Sequence, residues 1–141
     1  MGHFNNIDYT VSENLGLITI NRVPKHNAIS LATLKELHEA LDLAGENEKV
    51  KVIGLTGAGG KAFASGSDLN EVLDRDLKKA LEPLVQGIAD KLEKTPKPTI
   101  AAIDGICMGG GLEIALGCDL RIATSQSQFA TPEGRLGIIP G

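Results

Sequence analysis

Two glycine-rich segments and two glutamates hold the clearest chemistry in this sequence. The second glycine segment, 105–111, ends in the triplet Gly109, Gly110 and Gly111, followed by Leu112-Glu113-Ile114-Ala115. Glycine permits backbone conformations and close approaches that a side chain would block. A helix opening after the triplet presents unpaired N–H groups and a partial positive charge. Such a place can hold an oxygen that becomes negative; a tight strand-to-helix turn would use the same residues. Glu113 follows the triplet, and Glu133 follows Pro132 further along the sequence. Facing one cavity, two carboxylates raise each other's proton affinity. A glutamate with an ordinary pKa of about 4.3 then becomes an acid or base near neutrality. Position alone also accounts for both: Glu113 suits the first turn of a helix, and Glu133 follows Pro132 at a helix start.

The first glycine segment, Gly57-Ala58-Gly59-Gly60-Lys61-Ala62, fits the spacing G-x-G-x-x-A. A dinucleotide fingerprint needs a helix opening there and an acidic residue ending the next strand. Neither is readable, and Lys61 lacks the context of a phosphate-binding loop. Composition narrows the field further. The 141 residues suit one domain, are 42% apolar and only 3% aromatic, and lack Trp. The core must be aliphatic. A net charge of −4 argues against nucleic acid. Cys107 and Cys118 form no metal-binding pair and read as reduced thiols of a cytoplasmic protein. The opening MGHFNN has no charged region followed by an apolar one. No apolar run approaches the ~20 residues that span a bilayer, so no membrane partner is expected.

The elements that must position these groups follow from periodicity. Strands are expected over 7–11, 15–21, 51–56, 99–104 and 120–124, with a tight turn flanked by Asn14 and Gly16. Ser30 is placed to cap a helix whose stripe is Leu31, Leu34, Leu37, Leu41 and Ala44. Residues 68–94 read as mainly helical, with Leu77, Leu81, Leu84, Ile88 and Leu92 as the stripe and Pro83 as a break. A further helix is expected over 110–117. The segments 57–68, 105–109 and 128–141 read as loops and short turns. Strands alternating with helices imply parallel pairing and an α/β class; no short-period repeat is evident.

Four motifs then fall in order. FASGSDLNEV, AAIDGICMGGGLEIALGCDLRIAT, FATPEGRLGIIPG and ITINRVPKHNAIS together resemble the enoyl-CoA hydratase/isomerase (crotonase) family over nearly the whole chain. The resemblance implies a spiral of ββα units, with 1–141 as the N-terminal core domain. It also implies a helical C-terminal region after Gly141 that closes the acyl pocket and builds a homotrimer or hexamer.

The same resemblance implies a chemistry: an acyl-CoA thioester enolate held by two backbone N–H groups, those of Ser67 and Gly110. Each such donor is worth ~3 kcal/mol in the transition state. Glu113 and Glu133 would hold a water, with Glu133 moving the α-carbon proton. The CoA would lie along Ser65, Ser67, Asp68, Leu69 and Asn70, and beside Lys25 and His26. Asn70 stands where relatives often carry a basic residue, and Ser65 and Ser67 where small apolar residues are common. Asp68, Asp119 and Arg22 are expected to be structural, and Lys61 and Lys97 solvated charges. Both glutamates together favour hydration of a 2-enoyl-CoA over isomerisation. A non-catalytic acyl-CoA-binding or assembly fragment is the reading outside enzymes. No metal or redox cofactor is implied, because coenzyme A is part of the substrate.

Overall fold

The computed structural model describes residues 4–73 and 84–137. A hairpin opens the chain, with β1 (Ile7–Ser12) antiparallel to β2 (Leu15–Ile20). Its left-handed turn residue is Glu13, with φ 52°. Gly16 is not in the turn: it lies in β2 opposite Val11, and a β-carbon there would stand 3.1 Å from Val50. The loop after β2 contains a short 3-10 helix (Val23–Lys25).

Helix α1 (Leu31–Glu46) starts as expected: the Ser30 side chain accepts from the Thr33 N–H at 3.1 Å, satisfying one of the unpaired first-turn donors. Leu34, Leu37, Leu41 and Ala44 are buried, but Leu31 is exposed. Lys97 is not a solvated charge. Its Nζ donates to the carbonyls of Ala44 and Asn47, both at 2.8 Å, so it closes the carboxyl end of α1, where a cation is favoured.

From β3 onward the chain repeats one plan. β3 (Val52–Gly57), β5 (Thr99–Ile103) and β7 (Leu120–Ala123) join one five-stranded sheet in the order β1-β2-β3-β5-β7. All pairings after the hairpin are parallel. After each comes a three-residue strand: β4 (Ala62–Ala64), β6 (Ile106–Met108) and β8 (Gln128–Ala130). These form a second, parallel sheet in the order β4-β6-β8. A helix follows each short strand: α2 (Leu69–Leu73), α4 (Gly110–Gly117) and α5 (Glu133–Leu136). Helix α3 (Leu84–Lys94) is added between α2 and β5. The ββα spiral is therefore present. The three segments expected to be loops contain β4, β6, β8 and α5 instead. Leu77, Leu81 and Pro83 lie outside the described residues.

The core is aliphatic, with Ile18, Ile20, Leu37, Leu41, Ile53, Leu55, Ile88, Leu92 and Ile114 fully buried around Phe63. Its burial is the main favourable term in folding. Asp119 is structural, as expected. It accepts from the Thr99 N–H at 2.7 Å and the Thr99 hydroxyl at 2.8 Å, which locks the entry of β7 to the start of β5. These bonds, the backbone one first, hold its carboxyl below the usual range.

Candidate active site

The small parallel sheet delivers the site. β4 and β6 pair Ala64 with Cys107, and β6 and β8 pair Met108 with Ala130. All three strands therefore run the same way and end side by side. Ser65-Gly66-Ser67 leaves the end of β4, Gly109-Gly110 the end of β6, and Thr131-Pro132-Glu133 the end of β8. Ligands of open α/β sheets gather beyond the carboxyl ends of strands in this manner.

Two peptide planes fix the direction of two N–H groups. The Gly66 carbonyl accepts from the Ile29 N–H at 2.8 Å. In a trans peptide the oxygen and the next N–H point oppositely, so the Ser67 N–H is turned away from Ile29. The Gly109 carbonyl accepts from the Glu113 N–H at 3.0 Å, along the axis of α4. The Gly110 N–H therefore points out of the helix start, where first-turn donors have no partner in the helix. The two peptides are neighbours: a β-carbon on Gly66 would stand 3.9 Å from the Gly110 nitrogen, and one on Gly110 would stand 3.2 Å from Ser67 Oγ.

Glu133 closes the group. It opens the four-residue α5 after Pro132 and is 7% exposed. Its Oε2 is buried and has no hydrogen-bond partner among the described residues. Its Oε1 lies beside Gly109. A buried, unsatisfied carboxylate oxygen is costly for a fold to keep, and such exceptions concentrate where a site needs them. Glu113 sits three residues after Gly110, on the same face of α4 by helical spacing. It is half-buried and also lines the cleft between α3 and α4 with Gln86, Asp90 and Glu93.

The other expected residues divide clearly. Ser65 and Asp68 are half-buried beside Ser67, while Leu69 and Asn70 are exposed in the first turn of α2. Asp68 Oδ1 accepts from the Asn70 N–H at 3.3 Å, which caps that turn. Lys25 and His26 are exposed on the 22–27 loop. This loop runs against the Ser67 segment, because the His26 carbonyl accepts from the Ser65 N–H at 3.2 Å. Cys107 is buried within β6, and burial pushes its thiol up to about 11, which disfavours the nucleophilic thiolate.

Asn27 was not singled out from the sequence. It is 1% exposed, and its Nδ2 donates to the carbonyls of Ala58 at 3.0 Å and Ala62 at 2.7 Å. Its φ of 56° is left-handed, a conformation Asn tolerates better than most residues. Among the described residues no group of three His, Cys, Asp or Glu side chains could hold a metal ion. No described helix is long and apolar enough to cross a membrane.

With this geometry in place, comparison with known proteins identifies the class. Residues 10–141 match the family model described as enoyl-CoA hydratase/isomerase, and the chain belongs to that family. Short-chain-enoyl-CoA hydratase of Clostridium acetobutylicum is 37% identical over 139 residues, covering 97% of this chain and 53% of that protein. Crotonyl-CoA hydratase of Syntrophomonas wolfei is 36% identical over 140 residues, covering 98% of this chain and 54% of that protein. Among solved structures, an enoyl-CoA hydratase subunit of Geobacillus kaustophilus superposes with a TM-score of 0.91 at 37% identity, covering 99% of this chain and 54% of that one. The chain thus spans about half the length of the relatives it matches.

Proposed function

We propose that this protein is an enoyl-CoA hydratase, adding water across the double bond of a 2-enoyl-CoA thioester. The observation that carries the reading is Glu133, buried between the ends of β6 and β8 with an oxygen that has no partner among the described residues, beside the two outward N–H groups of Ser67 and Gly110. The thioester oxygen accepts from both N–H groups and takes up negative charge as the enolate forms. Glu113 and Glu133 hold the water. Its oxygen bonds to the β-carbon as Glu133 takes one of its protons and passes that proton to the α-carbon, which leaves both carboxylates as they began. The sum is one water added, with no redox change and no need of a metal or cofactor. The CoA runs from the thioester along Ser65, Ser67, Asp68, Leu69 and Asn70, with Lys25 and His26 beside it. The names of the relatives support hydration, and a cytoplasmic homotrimer or hexamer is the assembly we expect.

The test is hydration of crotonoyl-CoA, followed as loss of the conjugated thioester absorbance. Glu133→Gln should keep binding and lower turnover by about 10²–10⁴-fold, the usual contribution of a positioned proton donor. Activity on a 3-enoyl-CoA without hydration of the 2-enoyl isomer would favour an isomerase on the same frame. Thioester binding without turnover of either would favour a non-catalytic acyl-CoA-binding module.

A further inference from the structure

We propose that Arg22 is a positioning residue for the first oxyanion donor, acting through Asp68 to hold the Ser67 N–H in its catalytic direction. The proposal rests on the hydratase reading above and adds to it the device that aims the donor. Ser67 sits in a short irregular stretch between β4 and α2, and its own sheet does not fix it. What fixes it is the loop at 22–29, laid along one side. Three backbone bonds tie the two segments: Ser65 N–H to the His26 carbonyl at 3.2 Å, Ile29 N–H to the Gly66 carbonyl at 2.8 Å, and Asp68 N–H to the Ile29 carbonyl at 2.8 Å. The second and third bracket Ser67, so any slip of the loop rotates the peptide that carries its N–H.

Arg22 holds both segments at once. One guanidinium nitrogen donates to the Ala28 carbonyl, on the loop; another pairs with Asp68 Oδ2 at 3.1 Å, across from it. The Arg22 N–H donates to Asn27 Oδ1 at 2.9 Å, and its carbonyl accepts from Lys25 and Asn27. The side chains of Arg22 and Asp68 are only 18% and 13% exposed, so water screens the pair less than it would a surface pair. Two partners at a fixed angle suit a planar guanidinium. An ammonium has three donors on a flexible stem but no rigid fork to hold both partners at that angle.

The expected signature is a loss in the transition state with little loss in binding. Arg22→Gln should lower kcat by about ten-fold with KM held within about two-fold, as a misdirected oxyanion donor does, and Asp68→Asn should lower kcat by a similar factor. Arg22→Lys should fall between wild type and Arg22→Gln. A spectroscopic readout isolates the donor. 4-(Dimethylamino)cinnamoyl-CoA is an enoyl thioester whose absorbance moves to longer wavelength when its carbonyl accepts strong hydrogen bonds. Each variant is titrated with it beside Lys97→Gln, which loosens the far end of α1 and serves as the control for general destabilisation. Wild type and Lys97→Gln should show the full shift, and Asp68→Asn and Arg22→Gln a reduced one at saturation. Should Arg22→Gln fail to fold, Asp68→Asn, nearly equal in shape, decides the question. A wild-type shift kept in full by Asp68→Asn overturns the clamp alone, as does an equal loss in Lys97→Gln. A wild-type protein that leaves the spectrum unmoved and hydrates nothing overturns the hydratase reading, and the clamp with it.

Discussion

Glu133 Oε1 lies 2.9 Å from the point that a β-carbon on Gly109 would occupy. A side chain at Gly109 would have to push this carboxylate aside, and the carboxylate is the proposed acid. Gly109 also has φ 51° and ψ −128°, a combination that side-chain-bearing residues avoid. Gly109→Ala should therefore displace Glu133 and strain the start of α4 together. The expected result is a loss of hydration by more than about 100-fold and a stability cost of about 1–3 kcal/mol, read from initial rates and urea unfolding. Near wild-type rates in Gly109→Ala would place Glu133 outside the reaction.

Asn27 is a second point where one side chain serves many backbone groups. Asn27→Ala removes the donors to Ala58 and Ala62 and the acceptor for the Arg22 N–H, and it leaves alanine at a positive φ. Buried polar groups without partners cost about 1–3 kcal/mol each. The variant should lose about 2–4 kcal/mol in a urea titration, seen as a lower midpoint with an unchanged slope. A midpoint equal to wild type would mean that water replaces the amide fully.

The two cysteines should behave alike. Burial raises both thiols to about 11, and neither side chain is open to solvent. At neutral pH an aromatic disulfide reagent should label neither in the native protein and both in concentrated urea. Fast native labelling of one thiol would show that its strand or helix opens locally.

His38, on α1, faces Gly87 of α3: a β-carbon there would stand 3.6 Å from its Nε2. Desolvation first, then Lys91, hold the imidazole below its ordinary 6.5, while Asp42 opposes them. With the folded value depressed, protons bind the unfolded chain more readily. The stability tied to neutral His38 is thus complete above about pH 6.5 and falls as the pH drops through the lower folded value. His38→Gln should flatten this part of the stability profile, measured by urea midpoints between about pH 7.5 and 5. An unchanged slope in the variant would assign the pH dependence to other groups.

Helices α1 and α3 could be read from the sequence because each has a run long enough for its period to show. LGLITI is rich in β-branched residues, and Leu34, Leu37, Leu41 and Ala44 recur at helical spacing. The three strands that carry the site were not legible. Ala62–Ala64, Ile106–Met108 and Gln128–Ala130 are too short for any period. Glycines and turn residues flank them, and pairing rather than propensity makes them strands. The ββα repeat was hidden for a related reason. Its first strands begin at Val52, Thr99 and Leu120, at unequal spacing, so the sequence has no constant period. The site residues themselves came from motif resemblance. Lys97 was misread because a lysine's role at the end of a distant helix leaves no local mark. Asn27 was passed over because its partners, Ala58 and Ala62, are remote in sequence.

The outward N–H groups of Ser67 and Gly110 belong to the main chain, and among the coded residues only proline lacks such a group. Alanine scanning is therefore blind to half of the proposed machinery, since every substitution at position 67 except proline retains the amide. Selection can act on these donors only by way of the shape that aims them. Removing one without the constraint of a proline ring needs chemistry outside the genetic code's ordinary set, such as replacing the amide by an ester through semisynthesis.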